Sequence, residues 1–467
     1  MSTYGRPRAA AISGATEVRN FGRAPLVVVV LLTLAVFGPY VTASIRTEQT
    51  VLYSLAAILV LAGANFNASG GRRFLLPWIG FVVVAALAAL FPTNAIAPYA
   101  AGNLLGGYDN LIAPIAVMFV IWTVVPAEQS GRAFEIFAKV LAGAMSLNAA
   151  VVIIGTRFDL APVLRPFWGT ADLTVTTAEL AASMGRLSGI FNQPAEAGVM
   201  YSLAGIAAIY AWKNRPWLLA VILLLISIGG MISVSKIFVL GGLPVIVVYW
   251  LIAQRGRAKA TAIFATALVG LGVLQSGLLD EWTGFNYLAR LLNPESDGGA
   301  LAFYTAGRLA QDSNFSTVIS KVIDYSPIVG VGPAGWTIPF DGMVAEAMVY
   351  GGVIGLCLVV TTTLALFTLA RKGADRETRL VGLFFAIVIA GGSLGFAPLT
   401  ANRVSVVSWL FIALLVLMRR AGTTDPQRET LTGDRDRPED PAVDATPGIL
   451  RAQTAFGRDS QSRLPST

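Results

Sequence analysis

The strongest constraint on this chain is its supply of apolar runs about as long as a bilayer is thick. A spanning helix needs roughly 20 mostly apolar residues. Such runs fall at about 25–41, 51–66, 74–91, 109–126, 134–155, 195–212, 217–234, 237–253, 261–279, 343–370, 380–398 and 404–418. Lipid offers the backbone no hydrogen-bond partner, so each run reads as a helix. Charged residues make up 13% of the chain, about half of the 25% usual in a soluble domain. A cytosolic enzyme, a disordered chain and a disulfide-stapled scaffold are thereby excluded. The expected fold class is all-α, a polytopic membrane helical bundle of twelve spans.

What is missing narrows the chemistry. The chain has no histidine, which removes every mechanism built on a His base, a His-paired nucleophile or a His ligand. Its one cysteine, Cys357, lies in an apolar run and has no intramolecular partner. The net charge of +7 is the excess that arginines flanking membrane spans produce, so nucleic acid is not an expected partner.

Lys and Arg concentrate in cytoplasmic loops. With the N-terminus inside, the short inner connections hold Arg72, Arg73, Arg132, Lys213, Arg215, Arg255, Arg257, Lys259, Arg371, Lys372, Arg376 and Arg379. The short outer ones hold only Arg46, Lys236 and Arg403. An even number of spans then places both termini in the cytoplasm, in a multi-pass protein of the inner (plasma) membrane. The organisation expected is a basic arm over 1–24, a membrane domain over 25–420 and a disordered Asp-, Arg-, Thr- and Pro-rich tail over 421–467. Val41-Thr42-Ala43 is a weak cleavage motif, and the first span is read as an uncleaved anchor. Two outer connections are long, 156–194 and 280–342. Both are rich in aromatic and aliphatic residues, so both read as organised, the second as partly helical between spans nine and ten.

The candidate residues lie in these connections. Arg186 begins the stretch Arg186-Leu187-Ser188-Gly189-Ile190-Phe191-Asn192-Gln193-Pro194 just before the sixth span. Pro194 suits a first helical turn, and an arginine beside a helix N-terminus suits a phosphate. The plainer reading pairs Arg186 with Glu196 or a lipid headgroup. A second constellation holds Arg308, the turn Pro327-Ile328-Val329-Gly330-Val331-Gly332, then Asp341 and Glu346 at the mouth of the tenth span. Gly330 and Gly332 would let the backbone approach a ligand closely. Asp341 reads either as a functional carboxylate at a membrane boundary or as a helix N-cap. Glu346 reads as reactive or as a partner of Arg403. Arg165, Lys236 and Arg403 are the remaining cations expected near a substrate.

These stretches resemble the O-antigen ligase and Wzy-type polymerase superfamily of membrane glycosyltransferases. The segment Arg186 to Pro194 is similar to the family's Arg-x-x-Gly-x-Phe motif before a span. Ser235-Lys236 stands where the family has Ser-Arg. Arg308 and the Pro327–Gly332 turn match features of the family's long extracytoplasmic loop. The family places a histidine eleven residues before a Gly-x-x-Gly; counting back from Gly352 reaches Asp341. The resemblance spans roughly 100–400 and implies metal-independent, cofactor-free transfer of a glycan. The implied donor is linked to undecaprenyl diphosphate, and the acceptor is a hydroxyl on a glycan or other envelope component at the extracytoplasmic face. It further implies Arg186 and Arg308 on the diphosphate, Asp341 as base, and other polysaccharide-assembly proteins as partners. The competing reading is a multi-span transporter or lipid-linked oligosaccharide flippase. It requires charges along the middle of the bilayer, where the sequence has few, such as Lys139.

Overall fold

The computed structural model describes residues 23–42, 45–64, 71–90, 96–99, 107–169, 175–253, 284, 313–334, 336, 340, 342–371 and 375–423. Among them are fourteen α-helices and no strand. They are α1 (Ala24–Ala35), α2 (Thr47–Leu61), α3 (Arg72–Ala88), α4 (Tyr108–Val124), α5 (Ser130–Gly155), α6 (Ala161–Trp168), α7 (Thr177–Ser183) and α8 (Pro194–Trp212). After these come α9 (Pro216–Ile232), α10 (Leu243–Ala253), α11 (Asn314–Tyr325), α12 (Met343–Arg371), α13 (Arg376–Gly392) and α14 (Asn402–Thr423).

Every apolar run of the sequence is helical over most of its length, apart from 261–279, which lies outside the described residues. The ends differ for local reasons. The first run stops at Ala35 because Gly38-Pro39 follows, and proline disfavours helical backbone before it. α13 begins earlier than its run, at Arg376, because the Asp375 carboxylate accepts the Thr378 N–H at 2.6 Å and caps the helix. Among the described residues four helical stretches are long and apolar enough to cross a membrane: Arg72–Ala89, Ala127–Gly155, Met343–Arg371 and Arg403–Ala421. α1, α2, α4, α9 and the stretch Ile237–Ala253 are apolar but shorter.

α5 organises the bundle, packing against α1, α8, α9 and α14. α8 and α14 are apolar on all sides and buried along nearly their whole length, as interior helices are. Two buried tryptophans satisfy their indole N–H groups here, Trp122 of α4 on Ala413 O of α14 at 3.2 Å and Trp409 of α14 on Leu399 O in the turn before it at 2.9 Å. Small residues bring α8 against the segment after α9. A Cβ on Gly198 would lie 2.0 Å from Ser235 Oγ, and one on Gly242 would lie 1.9 Å from Ser202 Oγ.

α12 is broken at Gly352, whose φ of 60° and ψ of −153° are not helical. The turn 327–332 fills the break. Val331 and Gly332 donate to the carbonyls of Val349 and Tyr350, while Val353 and Ile354 donate to Pro327 and Ile328. Four backbone groups of α12 at the break, the carbonyls of Val349 and Tyr350 and the N–H groups of Val353 and Ile354, are thus re-paired within the protein, as an apolar surrounding requires.

Candidate functional site

The stretch 185–194 is built by contacts from four sides. It opens where α7 ends in a Schellman motif: Gly185 has φ +74°, Arg186 donates to Ala181 O at 2.9 Å, and Gly185 donates to Ala182 O at 2.8 Å. Next, the side-chain amide of Asn148 on α5 grips the loop with both hands. Its Oδ1 accepts the Ile190 N–H at 2.9 Å, and its Nδ2 donates to Ser188 O at 3.4 Å and to the Tyr201 hydroxyl at 2.9 Å. From α6, Trp168 Nε1 donates to Gly189 O at 2.8 Å. From the start of α14, Arg403 Nη1 donates to Ile190 O at 2.9 Å. Ser188 Oγ closes the loop on Phe191 O at 2.6 Å. Gly189 is required here: its φ is +65°, and a Cβ would stand 2.2 Å from Asn148 Oδ1.

Arg186 therefore sits half-buried on a rigid segment that leads, at Pro194, into the N-terminus of α8. Pro194 occupies the first turn as expected, and the N-cap residue Gln193 makes no side-chain cap. Two polar atoms beside this terminus have no hydrogen-bond partner among the described residues, Asn192 Oδ1 and Glu196 Oε1. Arg403, Arg46 and Glu48 are charges that act on Glu196. The same end of α8 meets Ser235-Lys236. Leu187 donates to Ile232 O at the end of α9 at 3.4 Å, and Ser235 is buried against Gly198 with its Oγ unpartnered. Val234, just before it, is the one described non-glycine residue with positive φ, 45°, and is fully buried. A β-branched residue held in that region is strained. A π-helical turn, Ile237–Gly242, follows Lys236, which is half-buried. Strained backbone and π turns gather at functional positions.

Several expectations are corrected. Arg403 is 2% exposed, and its guanidinium is committed to three carbonyls: Ile190, Gly38 at 2.8 Å and Phe167 at 3.0 Å. It is a clamp joining the end of α1, α6 and the Arg186 loop, which leaves no fork for a substrate, and it does not pair with Glu346. Glu346 instead accepts from the Thr400 hydroxyl at 2.9 Å. Gly330 and Gly332 approach the chain's own backbone, not a ligand. A Cβ on Gly330 would lie 2.6 Å from Gly352 N, and one on Gly332 would lie 2.6 Å from Ala85 O. Arg165 is exposed and pairs with Glu179 at 3.0 Å. The Thr176 N–H, and secondarily Arg165, hold the Glu179 carboxyl below the ordinary carboxylate range. Arg308 and Asp341 lie outside the described residues, as do the arm 1–22 and the tail from 424.

Sequence reasoning missed a buried charge cluster near this end of the bundle. Arg46 pairs with Glu48 at 2.7 Å and with Asp109 at 3.2 Å, and Asp109 also accepts from Gln49 and from the Tyr53 hydroxyl at 2.6 Å. Glu48, Asp109 and Glu196 each fall in the first turn of an apolar helix. An acidic residue at that position was the signal available, because it complements the helix dipole. Asn148 and Trp168 carried no such signal. Among the described residues no three His, Cys, Asp or Glu side chains gather as a metal site. No family model matches the chain, and no curated protein does.

Proposed function

We propose that this protein is a twelve-span glycosyltransferase of the O-antigen ligase and polymerase kind, working at the extracytoplasmic face of the plasma membrane. The observation that carries the reading is the Arg186 segment, fixed by Asn148, Trp168 and Arg403 beside the N-terminus of α8. An arginine carried on this fixed backbone and a helix N-terminus close to it in sequence suit a diphosphate. In the reaction proposed, an acceptor hydroxyl attacks the anomeric carbon of the undecaprenyl-diphosphate-linked glycan. The carbon–oxygen bond to the diphosphate breaks, and the leaving group keeps the electron pair. Arg186 and Arg308 stabilise its developing charge, and the hydroxyl proton passes to Asp341. Arg403 and Asn148 act as positioning residues. Lys236, at the strained turn after α9, is a further cation for the donor.

One observation favours the transporter or flippase reading: the break in α12, since transporters use discontinuous helices as binding sites. Here the turn 327–332 already occupies the freed backbone groups. Lys139, the mid-span cation, pairs with Glu135 one turn away at 2.5 Å. Both the break and the mid-span cation thus already have partners within the protein.

The test is the glycan profile of a strain lacking the gene, complemented with wild type or with the Arg186→Lys and Arg308→Lys forms. Loss of long chains with single units retained indicates a polymerase; full-length chains accumulating on the lipid carrier indicate a ligase. Each lysine form should fail to complement, since an ammonium cannot reproduce the planar fork. Full complementation by both would refute the diphosphate clamp.

A further inference from the structure

The connection 156–194 does more than carry Arg186. Beneath it lies a cavity of about 500 Å³, in the size range of small-molecule sites. Its walls are apolar: Val151 and Val152 from α5, Leu164 and Trp168 from α6, Ala178 from α7, and Leu187. Leu164, Trp168 and Ala178 form a small core of their own, separate from the bundle's main core. Three ionised groups line the same space: Arg157, Asp159 and Glu179. The carboxylates already serve the fold, Asp159 accepting the Ala161 N–H at 2.9 Å and Glu179 accepting Thr176 N–H and pairing with Arg165. Arg157 is the cation of the lining, and it is exposed.

The other side of this cap is apolar too. Val163 is 68% exposed, Val175, Leu180 and Met184 are also exposed, and Phe158, which lines the cavity, is 68% exposed as well. α7 turns Ala178 and Ala181 inward and Leu180 and Met184 outward. In water such a surface would be a liability. At a bilayer interface it is what short amphipathic helices present to lipid, with arginines at headgroup level.

We propose that the cavity binds one hydrocarbon chain of a membrane amphiphile bearing an anionic phosphate head, with the chain against Leu164, Trp168 and Leu187 and the phosphate at Arg157. Two amphiphiles share that chemistry, an anionic phospholipid and a polyprenyl phosphate. The occupant would touch the Trp168 ring, whose Nε1 holds Gly189 O, and would thereby steady the Arg186 segment from behind. The inference rests only on these helices lying in a bilayer and survives failure of the transferase reading.

The test uses the full chain in nanodiscs of phosphatidylglycerol or of phosphatidylcholine, each doped with the matching phospholipid carrying a diazirine at the end of one acyl chain. After irradiation, labelled peptides are mapped by mass spectrometry. Label is expected on peptides spanning 151–168 and 178–189, several-fold more in phosphatidylglycerol than in phosphatidylcholine. Ala182→Trp, which fills the space from its half-buried rim, should cut that label about tenfold at unchanged thermal stability, and Arg157→Gln should abolish the lipid preference. Added undecaprenyl phosphate that displaces the label identifies a polyprenyl phosphate as the preferred occupant. Failure to displace leaves the phospholipid; either result supports the site. No label on these peptides in wild-type protein would overturn the proposal, as would undiminished label in a stable Ala182→Trp protein or equal label in both lipids.

Discussion

Asn148→Ala removes the one side chain that holds the Arg186 loop by its N–H and its carbonyl sides together. Asn148 is 3% exposed, so water cannot replace it. The Ile190 N–H, accepted at 2.9 Å, would be left buried without a partner at a cost of about 1–3 kcal/mol. The Tyr201 hydroxyl, bonded at 2.9 Å, would lose a further 0.5–1.5 kcal/mol or about that. The 3.4 Å contact to Ser188 O is too long to add much. The Tyr201 loss is the same whether the loop is seated or displaced, so the loop equilibrium feels the Ile190 term, about 2 kcal/mol, or roughly 30-fold in the population of the displaced loop at about 1.4 kcal/mol per decade. Trp168 and Arg403 still hold the carbonyls of Gly189 and Ile190, so the helices stay packed. Hydrogen–deuterium exchange on protein in nanodiscs should show the amides of 188–192 opening by that factor, with those of 203–209 in buried α8 unchanged. Equal exchange of the Ile190 amide in wild type and variant would refute the claim that Asn148 sets this loop.

Arg403→Lys should lower the thermal midpoint and loosen residues 166–168 and 188–191 together, because an ammonium cannot serve three carbonyls from one position; unchanged exchange in both segments would contradict the clamp. Gly352→Ala places a Cβ 2.4 Å from Ile328 at a φ of +60°, so it should undock the turn 327–332, read as new protease sensitivity in 326–334. Glu179 titrates below its ordinary value, so its support of the α7 N-terminus and the Arg165 pair is complete above the ordinary carboxylate pKa and is lost as pH falls through the lowered one. Exchange over 177–183, corrected for intrinsic rate, should rise below about pH 4, and Glu179→Gln should show that rise already at neutral pH.

The helices were legible because each run of apolar residues is long enough to need one and no polar stretch competes with it. The site was legible only in part. The turn at Gly189 and the helix start at Pro194 were legible because a turn glycine and a helix-starting proline leave local marks, whereas Ser235-Lys236 drew notice only through the family resemblance. Motif reading did not foresee the protein partners of Arg403, Gly330 and Gly332, because what faces them comes from distant elements. Arg403 reaches carbonyls on α1, α6 and the loop before α8, and no local spacing encodes that. The two glycines were correctly seen as points of close approach, but their partner is the broken α12 and the end of α3. Asn148 and Trp168 were silent because an amide in a span and an indole in a loop are ordinary in sequence and acquire meaning only from the carbonyls they meet.

The central claim is that this chain transfers a glycan from a lipid diphosphate. The most direct measurement reconstitutes the purified protein in vesicles with an undecaprenyl-diphosphate-linked glycan and a hydroxyl acceptor, and follows released undecaprenyl diphosphate and the new glycan by mass spectrometry. The account predicts turnover in the presence of a metal chelator, falling by about 100-fold or more in Arg186→Lys, the scale of losing one charge-stabilising donor. Intact donor moved to the other leaflet, with no diphosphate released by wild-type protein, would contradict it.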